Sequence, residues 1–428
     1  MLIEFSVANY RSLRDRQTFS LVKSAGTELQ TTNTFRTQGV EAFNLLRSAA
    51  IYGPNAGGKT NLMRALQTME FIVLNSATSQ QRGDPLPVEP FLLSSKPRNE
   101  PSEFEATFMV DGIRYQYGFS ATAKRIHEEW LFAFPRKRAQ HWFSRAWNDN
   151  KQAYEWEMGN SLSGEKQLWQ KSTRDNALFL STAVQLNSTQ LQPVYDWFKK
   201  TLRTANVGGW GLGFSASLCE NDEKQRVLEF LKAADLGIED IRVKSTPFDP
   251  DVLPEDVPRA VRDHVAKDMK NKRMLDIKTV HTTSEGEEVV FDFFADESAG
   301  TQRLFGFAGP WIDSLANGYV LFIDELHISL HPQLVKFLVQ LFHNDKTNPK
   351  NAQLVFTTHE TSILNQEVFR RDQIWFCEKD ESQASVVYPL TDFSPRKNRE
   401  NLELAYLSGR YGAVPFVGSL ANIVQAEG

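Results

Sequence analysis

A run of eight residues, 53–60, has the types and spacing of a loop that binds phosphate. It reads Gly-Pro-Asn-Ala-Gly-Gly-Lys-Thr, which matches the pattern G-x-x-x-x-G-K-[ST] in full. Glycines let successive backbone N–H groups point at phosphate oxygens, the lysine reaches the β- and γ-phosphates, and the final hydroxyl is a ligand for Mg²⁺. We therefore predict that Asn55, Gly58, Lys59 and Thr60 bind a nucleoside triphosphate, and that Thr60 also binds Mg²⁺.

The sequence on either side of this loop supports the assignment. Residues 49–52 are an apolar run that predicts a buried strand, and residues 61–74 place apolar side chains at mostly helical spacing. Strand, glycine loop and helix thus follow one another as a phosphate-binding unit requires. An ordinary glycine-rich turn is the alternative, and it accounts less well for this context.

Two adjacent carboxylates form the second set of residues that could do chemistry. Asp324 and Glu325 directly follow the apolar run 319–323, which predicts a buried strand ending in acid. Phosphoryl transfer needs positioning, metal charge and one oriented water, and two neighbouring carboxylates can divide the metal and water roles. A solvated strand end without chemistry is the alternative interpretation.

Two further segments lie before and after this acidic strand. Residues 296–304 open an amphipathic helix with Ser298 and Gly300 at its N-terminus, where free N–H groups and the helix dipole attract anions. The alternative for Ser298 is a plain N-cap. The run 354–358 predicts another strand, and it delivers His359, for which a merely structural role is the alternative.

These pieces follow one another in the order phosphate loop, Ser-x-Gly helix, Asp-Glu strand and strand ending in histidine. In this order the chain resembles the ABC-type ATPase heads shared by the SMC, recombination-repair and OLD (overcoming lysogenisation defect) families. Residues 3–13, 297–303 and 409–416 make the chain similar, more narrowly, to the RloA-like, AAA-15 type ATP-binding proteins of bacterial defence islands. The resemblance implies an α/β P-loop NTPase of ABC-ATPase head type, with a mixed sheet and a lobe of antiparallel strands. Because the sequence has no heptad run, we expect a compact helical insertion instead of a coiled coil.

The resemblance further implies that ATP and Mg²⁺ occupy a site shared between two protomers. Lys59 and Thr60 of one protomer would hold the triphosphate and Mg²⁺. Ser298 and Gly300 of the other protomer would cover the γ-phosphate. The expected assembly is therefore a homo-oligomer of two or more chains.

Roles for the other candidate residues also follow from the resemblance. Asp324 would bind Mg²⁺ through water, Glu325 would act as the base or position the attacking water, and His359 would sense the γ-phosphate. Arg11 follows the first predicted strand, where relatives often place a basic residue near the nucleotide, although a solvent-exposed arginine fits the sequence nearly as well. The lid glutamine of the family has no clear counterpart, since the two glutamines at 80–81 lie in a polar run with no strand before them.

The composition bounds the class of protein. The 428 residues are 41% hydrophobic, which is enough for a large core. Their net charge of −5 gives no general affinity for nucleic acid. The N-terminus places an acid at Glu4 where a signal peptide has a basic start and an apolar core. Since no stretch approaches ~20 apolar residues either, we expect a cytoplasmic protein with no membrane span.

Three other patterns in the sequence are less specific. The two cysteines are too few for a disulfide framework, so reduced thiols are expected. His327 and His331 have a zinc-like spacing, but Pro332 predicts a turn there instead of a helix that binds metal. The basic run 136–138 is either a solvated face or a local site for phosphate backbones.

Changes in sequence pattern divide the chain into four predicted segments. Residues 1–80 would form the N-terminal part of the ATPase domain, and residues 81–165 a mainly β lobe with a hairpin over 104–119. Residues 166–285 would be a mainly helical insertion. Residues 286–428 would complete the ATPase domain with the Ser-x-Gly helix, the Asp-Glu strand and the histidine.

The family resemblance also implies a biological role. We expect an enzyme that hydrolyses ATP to ADP and phosphate and serves as a sensor or switch in antiphage or anti-plasmid defence. Its partners would be a separate effector, a Toprim-like nuclease, and a trigger that is a phage protein or DNA. A DNA repair or recombination ATPase acting directly on DNA is one alternative, and a nucleotide-dependent scaffold with little turnover is another. The opening strand pattern and the large insertion argue against an ABC transporter ATPase.

Overall fold

The computed structural model describes residues 1–39, 41–207, 209–248, 258–269, 273–396 and 399–415. Of the stretch 409–416 that carries part of the family resemblance, residue 416 lies outside the described residues. In chain order the strands are β1 (Leu2–Ala8), β2 (Gln17–Ser20), β3 (Thr34–Arg36), β4 (Asn44–Leu46), β5 (Ser48–Tyr52), β6 (Ser102–Val110), β7 (Ile113–Ala121), β8 (Ile126–Phe134), β9 (Gln140–Asn148), β10 (Ala153–Met158), β11 (Leu202–Ala205), β12 (Asp240–Pro247), β13 (Arg273–Thr282), β14 (Glu288–Asp292), β15 (Val320–Ile323), β16 (Gln353–Thr357), β17 (Ile374–Lys379) and β18 (Ser385–Pro389).

The α-helices range from a single turn to the 19 residues of the longest one. In the described part of the chain, none of them has both the length and the apolar character needed to cross a bilayer. In chain order they are α1 (Gln30–Asn33), α2 (Lys59–Asn75), α3 (Lys166–Ser172), α4 (Phe179–Gln185), α5 (Gln192–Asp196), α6 (Gly213–Glu220), α7 (Lys224–Ala233), α8 (Arg259–Met269), α9 (Ala299–Asn317), α10 (Pro332–Phe342) and α11 (Leu402–Leu407).

A six-stranded mixed sheet in the order β11-β15-β16-β5-β17-β18 carries most of the predicted nucleotide site. The first five strands are parallel, and β18 is antiparallel to β17. Every residue of β5, β15 and β16 is buried, as expected for parallel strands covered on both faces. Because parallel strands end at the same edge, the residues that follow β5, β15 and β16 lie close together.

A seven-stranded antiparallel sheet in the order β10-β9-β8-β7-β6-β1-β2 forms the predicted antiparallel lobe. The hairpin of β6 and β7 turns at Asp111 and Gly112, which both have positive φ angles, 49° and 76°. Such angles are typical of the two-residue turns that suit the twist of a hairpin. The predicted fold class is confirmed: an α/β P-loop protein whose mixed sheet is accompanied by an antiparallel lobe.

A buried ion pair ties this lobe to the helix that follows the phosphate loop. The side chains of Glu129 on β8 and Arg145 on β9 are fully buried, with 2.8 Å between their charged atoms. The Glu129 carboxylate also accepts the backbone N–H groups of Phe179 and Leu180, at 2.7 and 3.0 Å, where α4 begins. α4 in turn contacts the end of α2, since Leu178 N–H donates to the hydroxyl of Ser76.

A second compact unit consists of Gly208–Asp313 and Ile328–Leu334, as far as these residues are described, and the other described residues form the larger unit. The second unit combines α6, α7 and α8 with a three-stranded antiparallel sheet in the order β12-β13-β14. Helices α3 to α5 belong to the larger unit. The region 166–285 therefore contributes helices to both units and also contains antiparallel strands.

Removing one member of the Glu129–Arg145 pair should destabilise the fold strongly. Glu129→Gln keeps the shape of the side chain but leaves the buried Arg145 guanidinium without a counter-charge. We expect the free energy of unfolding to fall by about 3–5 kcal/mol, measured by urea denaturation. The double variant Glu129→Gln, Arg145→Met should recover part of that loss, because it also removes the unpaired cation while the amide oxygen at position 129 can still accept a backbone N–H. The exposed pair Lys151–Glu155 provides the control, because Lys151→Met should have little effect. A Glu129→Gln protein as stable as the wild type would contradict this role.

Candidate active site

The phosphate loop connects the end of β5 to the start of α2 and passes close to β17 and β18. Gly53 and Gly58 have φ angles of +154° and +114°, which L-residues with side chains rarely adopt. A Cβ atom at Gly53 would clash with the carbonyl oxygen of Cys377, and one at Gly58 would clash with the hydroxyl of Ser385. Both glycines are therefore required by packing against the neighbouring strands as well as by the turn of the loop.

Lys59, the first residue of α2, is only 5% exposed and points back across the loop. Its Nζ donates to the carbonyl oxygens of Gly53 and Pro54, at 2.9 and 3.2 Å, and lies 3.0 Å from Nε2 of His359. Burial lowers the pKa of Lys59, while the negative charges of Glu325 and other neighbours oppose this shift. The ammonium group is thus held inside the loop, where phosphate oxygens would bind.

Asp324 follows β15 and is 2% exposed. Its Oδ2 accepts a hydrogen bond from the Thr60 hydroxyl at 2.8 Å, and its Oδ1 accepts one from the Thr357 hydroxyl at 2.6 Å. The structure therefore brings the two predicted magnesium ligands, Thr60 and Asp324, into direct contact. A carboxylate and a hydroxyl are hard oxygen donors of the kind that Mg²⁺ prefers, so the residues present fit that ion.

Glu325 lies between two imidazoles. Its Oε1 is 3.5 Å from Nε2 of His359, and its Oε2 is 3.5 Å from Nε2 of His327. The hydrogen bond to His359 lowers the pKa of Glu325 despite the opposing effect of burial, and positive charge at His359, His327 and Lys59 adds to the lowering. Glu325 is therefore a carboxylate at neutral pH, the form that can orient water or accept a proton.

The residues of the loop and Glu325 line one cavity of about 400 Å³. It unites the predicted nucleotide-binding residues Asn55, Gly58, Lys59 and Thr60 with the predicted base. Arg64, one turn into α2, also lines this cavity and was not singled out by the sequence pattern. It lies on the exposed side of an amphipathic helix, where sequence alone does not distinguish a functional arginine from a solvated one.

Arg11 lines a neighbouring cavity of about 510 Å³, which shares Arg64 with the first. Its guanidinium forms an ion pair with Glu89 at 2.8 Å, and its backbone N–H donates to the carbonyl oxygen of the same residue. The structure thus places Arg11 beside the phosphate-loop cavity but not in its lining. A role for Arg11 in binding nucleotide stays a prediction.

Ser298 and Gly300 lie in the second unit, at the start of α9. The Ser298 hydroxyl accepts the backbone N–H of Thr301 at 3.1 Å and lies 2.9 Å from the Thr301 hydroxyl, which is the geometry of an N-cap. A Cβ atom at Gly300 would lie 2.8 Å from the carbonyl oxygen of Ser329, so this turn is closely packed. The predicted helix start is found where it was expected, and its contact with a γ-phosphate stays a prediction.

The segment 80–81 lies beyond the C-terminal end of α2, whereas the phosphate loop precedes its N-terminal end. The 17 residues of α2 span about 25 Å, which is too far for either glutamine to act as a lid on the nucleotide. Asn206 directly follows β11 and lines the neighbouring cavity that contains Arg11. Asp324 N–H donates to the carbonyl oxygen of Ala205 at 3.2 Å, so the chain reaches Asn206 beside the acidic strand.

Comparison with known proteins identifies the family. Residues 48–365 match the family described as "AAA domain, putative AbiEii toxin, Type IV TA system". The matched stretch begins at the first residue of β5 and ends shortly after His359, so it includes every predicted catalytic residue. The chain belongs to this AAA-domain family. No curated protein matches the sequence.

Two solved structures of SMC heads are similar to the chain over most of its length. The first is the "SMC head domain from Thermotoga maritima", with 11% identity, 91% of this chain and 98% of that chain covered, and a TM-score of 0.39. The second is the Smc head domain with an extended coiled coil bound to the C-terminal domain of ScpA, from Pyrococcus furiosus. It has 12% identity, coverage of 91% and 96%, and a TM-score of 0.38.

A titration prediction concerns Glu70, which faces the cavity that contains Arg11. Burial raises the pKa of Glu70 to about 7, although the Thr204 hydroxyl donates to it at 3.1 Å. The pKa of Glu70 is therefore higher in the folded protein than in the unfolded chain. Its contribution to the free energy of unfolding is complete below the unfolded pKa and is lost as the pH rises through about 7.

Glu70→Gln mimics the protonated acid and should remove this dependence. Between pH 5 and pH 8 the difference in free energy of unfolding between the variant and the wild type should grow by about 2.5 kcal/mol in favour of the variant. Urea denaturation of both proteins at the two pH values measures their free energies of unfolding. Subtracting the wild-type value from that of the variant at each pH cancels the contributions of other carboxylates. An equal difference at both pH values would show that Glu70 is ionised throughout.

Proposed function

We propose that this protein binds ATP with Mg²⁺ and hydrolyses it to ADP and phosphate. The observation that carries the proposal is the meeting of Lys59, Thr60, Asp324, Glu325 and His359 at the carboxyl ends of β5, β15 and β16. A buried ammonium, a hydroxyl–carboxylate pair and a second carboxylate are the groups that positioning and charge stabilisation in phosphoryl transfer require.

The side chains divide the work as their contacts suggest. Lys59 binds the β- and γ-phosphate oxygens in place of the loop carbonyls. Thr60 and Asp324 hold Mg²⁺, which supplies positive charge against the phosphate oxygens when it is bound. Glu325, kept ionised by its surroundings, orients the attacking water and accepts its proton. His359, between Lys59 and Glu325, senses the γ-phosphate.

We further propose that the active site is shared between two copies of the chain. Ser298 and Gly300 would bind the γ-phosphate held by a neighbouring copy, which makes assembly depend on ATP. Support comes from the order of the motifs and from the N-terminus of α9, where backbone N–H groups and the helix dipole favour an anion. ATP would then close a dimer or larger homo-oligomer, and hydrolysis would reopen it.

The biological role that we propose is a switch in defence against phage or plasmids, in the cytoplasm. The ATP state would control a separate effector, a Toprim-like nuclease, and a phage protein or DNA would trigger the cycle. Support comes from the family resemblance of the sequence and from the family description, which names a toxin of a toxin–antitoxin system. Lys59→Ala should abolish protection in a phage challenge.

Direct action on DNA is a second candidate, and one observation favours it. Arg136, Lys137 and Arg138 are exposed at the turn between β8 and β9, where phosphate groups could approach. Under this alternative, duplex DNA would stimulate ATP turnover, and binding would weaken steeply with salt. Charge reversal at the three residues should then abolish the stimulation without changing the basal rate.

Phosphate release and mass photometry together test the shared ATP site. Glu325→Gln should lower kcat by about 100-fold or more and should accumulate a larger assembly with ATP and Mg²⁺, because nucleotide binds but is not hydrolysed. Lys59→Ala should neither turn over ATP nor assemble with it. Glu157→Gln, an exposed change on β10, should match the wild type. The proposal is wrong if wild-type protein releases no phosphate with Mg²⁺ and ATP, and the shared site is unsupported if mass is indifferent to ATP in every variant.

A further inference from the structure

Thr357, the last residue of β16, contacts both acidic residues of the candidate site. It is completely buried, and its hydroxyl donates to Oδ1 of Asp324 at 2.6 Å. The same oxygen accepts the backbone N–H of Glu325 at 2.8 Å. A single hydroxyl therefore uses both its donor and its acceptor capacity on two consecutive residues.

The sheet fixes the position of this hydroxyl. Thr357 pairs with Ile51 of β5 on one side. On the other side β16 pairs with β15, and the N–H of Leu326 continues the contact by donating to the Thr357 carbonyl oxygen at 3.1 Å. Because strands on both sides hold its backbone, Thr357 is a rigid reference point for the groups that it contacts.

Each of the two bonds has a consequence for the site. The bond to Oδ1 of Asp324 fixes the rotation of that carboxylate, so that Oδ2 faces the Thr60 hydroxyl at 2.8 Å. The bond from Glu325 N–H anchors a residue whose φ angle of 57° is uncommon for a side-chain-bearing residue. A backbone held in such a conformation needs surrounding contacts that determine it.

We propose that Thr357 is a positioning residue for ATP hydrolysis, which couples the orientation of the magnesium-binding carboxylate to the backbone that carries the base. This inference rests on the proposed function, because it assigns Thr357 a task in that reaction. Thr357 touches neither phosphate nor water in this role. It acts through Asp324 and Glu325, so its removal should affect turnover and magnesium affinity while leaving the phosphate loop able to bind nucleotide.

Two substitutions separate the hydroxyl from the rest of the side chain. Thr357→Val keeps the shape and removes the hydroxyl, while Thr357→Ser keeps the hydroxyl and removes the methyl group. Thr68→Val is the matched control, since it removes another buried hydroxyl bond, to Tyr10 at 2.8 Å, on the helix that follows the loop. If Thr357→Val does not fold, Thr357→Cys replaces it, because a thiol is only moderately larger than a hydroxyl group and forms weak hydrogen bonds.

The first measurements are kcat and KM for ATP. The second is a titration of the protein and a fluorescent ATP analogue with Mg²⁺, which gives the Mg²⁺ concentration at half-saturation, the Mg²⁺ midpoint. Thr357→Val should lower kcat and raise the Mg²⁺ midpoint by about 10- to 100-fold each, the range found when partners of metal ligands are removed. KM for ATP and affinity for the analogue without Mg²⁺ should change little. Thr357→Ser and Thr68→Val should stay within about 3-fold of the wild type on every measure.

Two results would overturn the inference while leaving ATP hydrolysis intact. One is a folded Thr357→Val protein, or its Thr357→Cys replacement, with wild-type kcat and Mg²⁺ midpoint. The other is a Thr357→Ser protein that loses activity as severely as Thr357→Val, because the hydroxyl would then not be the decisive group. An inactive wild type would instead refute the proposed function itself.

Discussion

The burial of one carboxylate, that of Asp324, constrains the whole nucleotide site. An ionised carboxylate removed from water is costly unless hydrogen bonds or a cation compensate it. Asp324 is 2% exposed and accepts hydroxyl bonds from Thr60 and Thr357, which come from α2 and β16. Those bonds use one lone pair on each oxygen, and the lone pairs that remain are available to a metal ion. The arrangement is possible only because β5, β15 and β16 are parallel neighbours whose ends lie at one edge.

Much of this site could be predicted from the sequence because its signals are local. The phosphate loop is a continuous pattern, and the strand before it and the helix after it are marked by apolar periodicity. The hairpin turn at Asp111 and Gly112 is likewise specified by two adjacent residues. The meeting of Lys59, Asp324 and His359 follows from the rule that parallel strands end at the same edge, once each residue is known to follow a strand.

The remaining features depend on contacts between residues far apart in the chain, which no local pattern encodes. Gly53 is required partly because the Cys377 carbonyl approaches it, and that approach depends on the register of β17 against β5. The guanidinium of Arg11 is held by Glu89, an acid in a loop far along the chain, and no local pattern predicts that ion pair. Thr357 looked like an ordinary strand residue. Its role appears only when β16 is aligned with β15, because a shift of one residue would turn its hydroxyl to the other face.

The central claim, that two copies of the chain complete each active site, is tested most directly by mixing two inactive variants. Lys59→Ala lacks the phosphate-binding lysine, and Ser298→Arg blocks the helix start that would face the partner. In a mixed dimer the loop of one variant and the Ser298 helix of the other form one intact site. Equimolar mixing should therefore restore up to about half of the wild-type rate of phosphate release, because neither variant assembles with itself on ATP and each mixed dimer has one intact site where the wild-type dimer has two. Mass photometry of size-tagged chains shows whether mixed dimers are present. If they are present and the mixture still releases no phosphate, the shared site is contradicted.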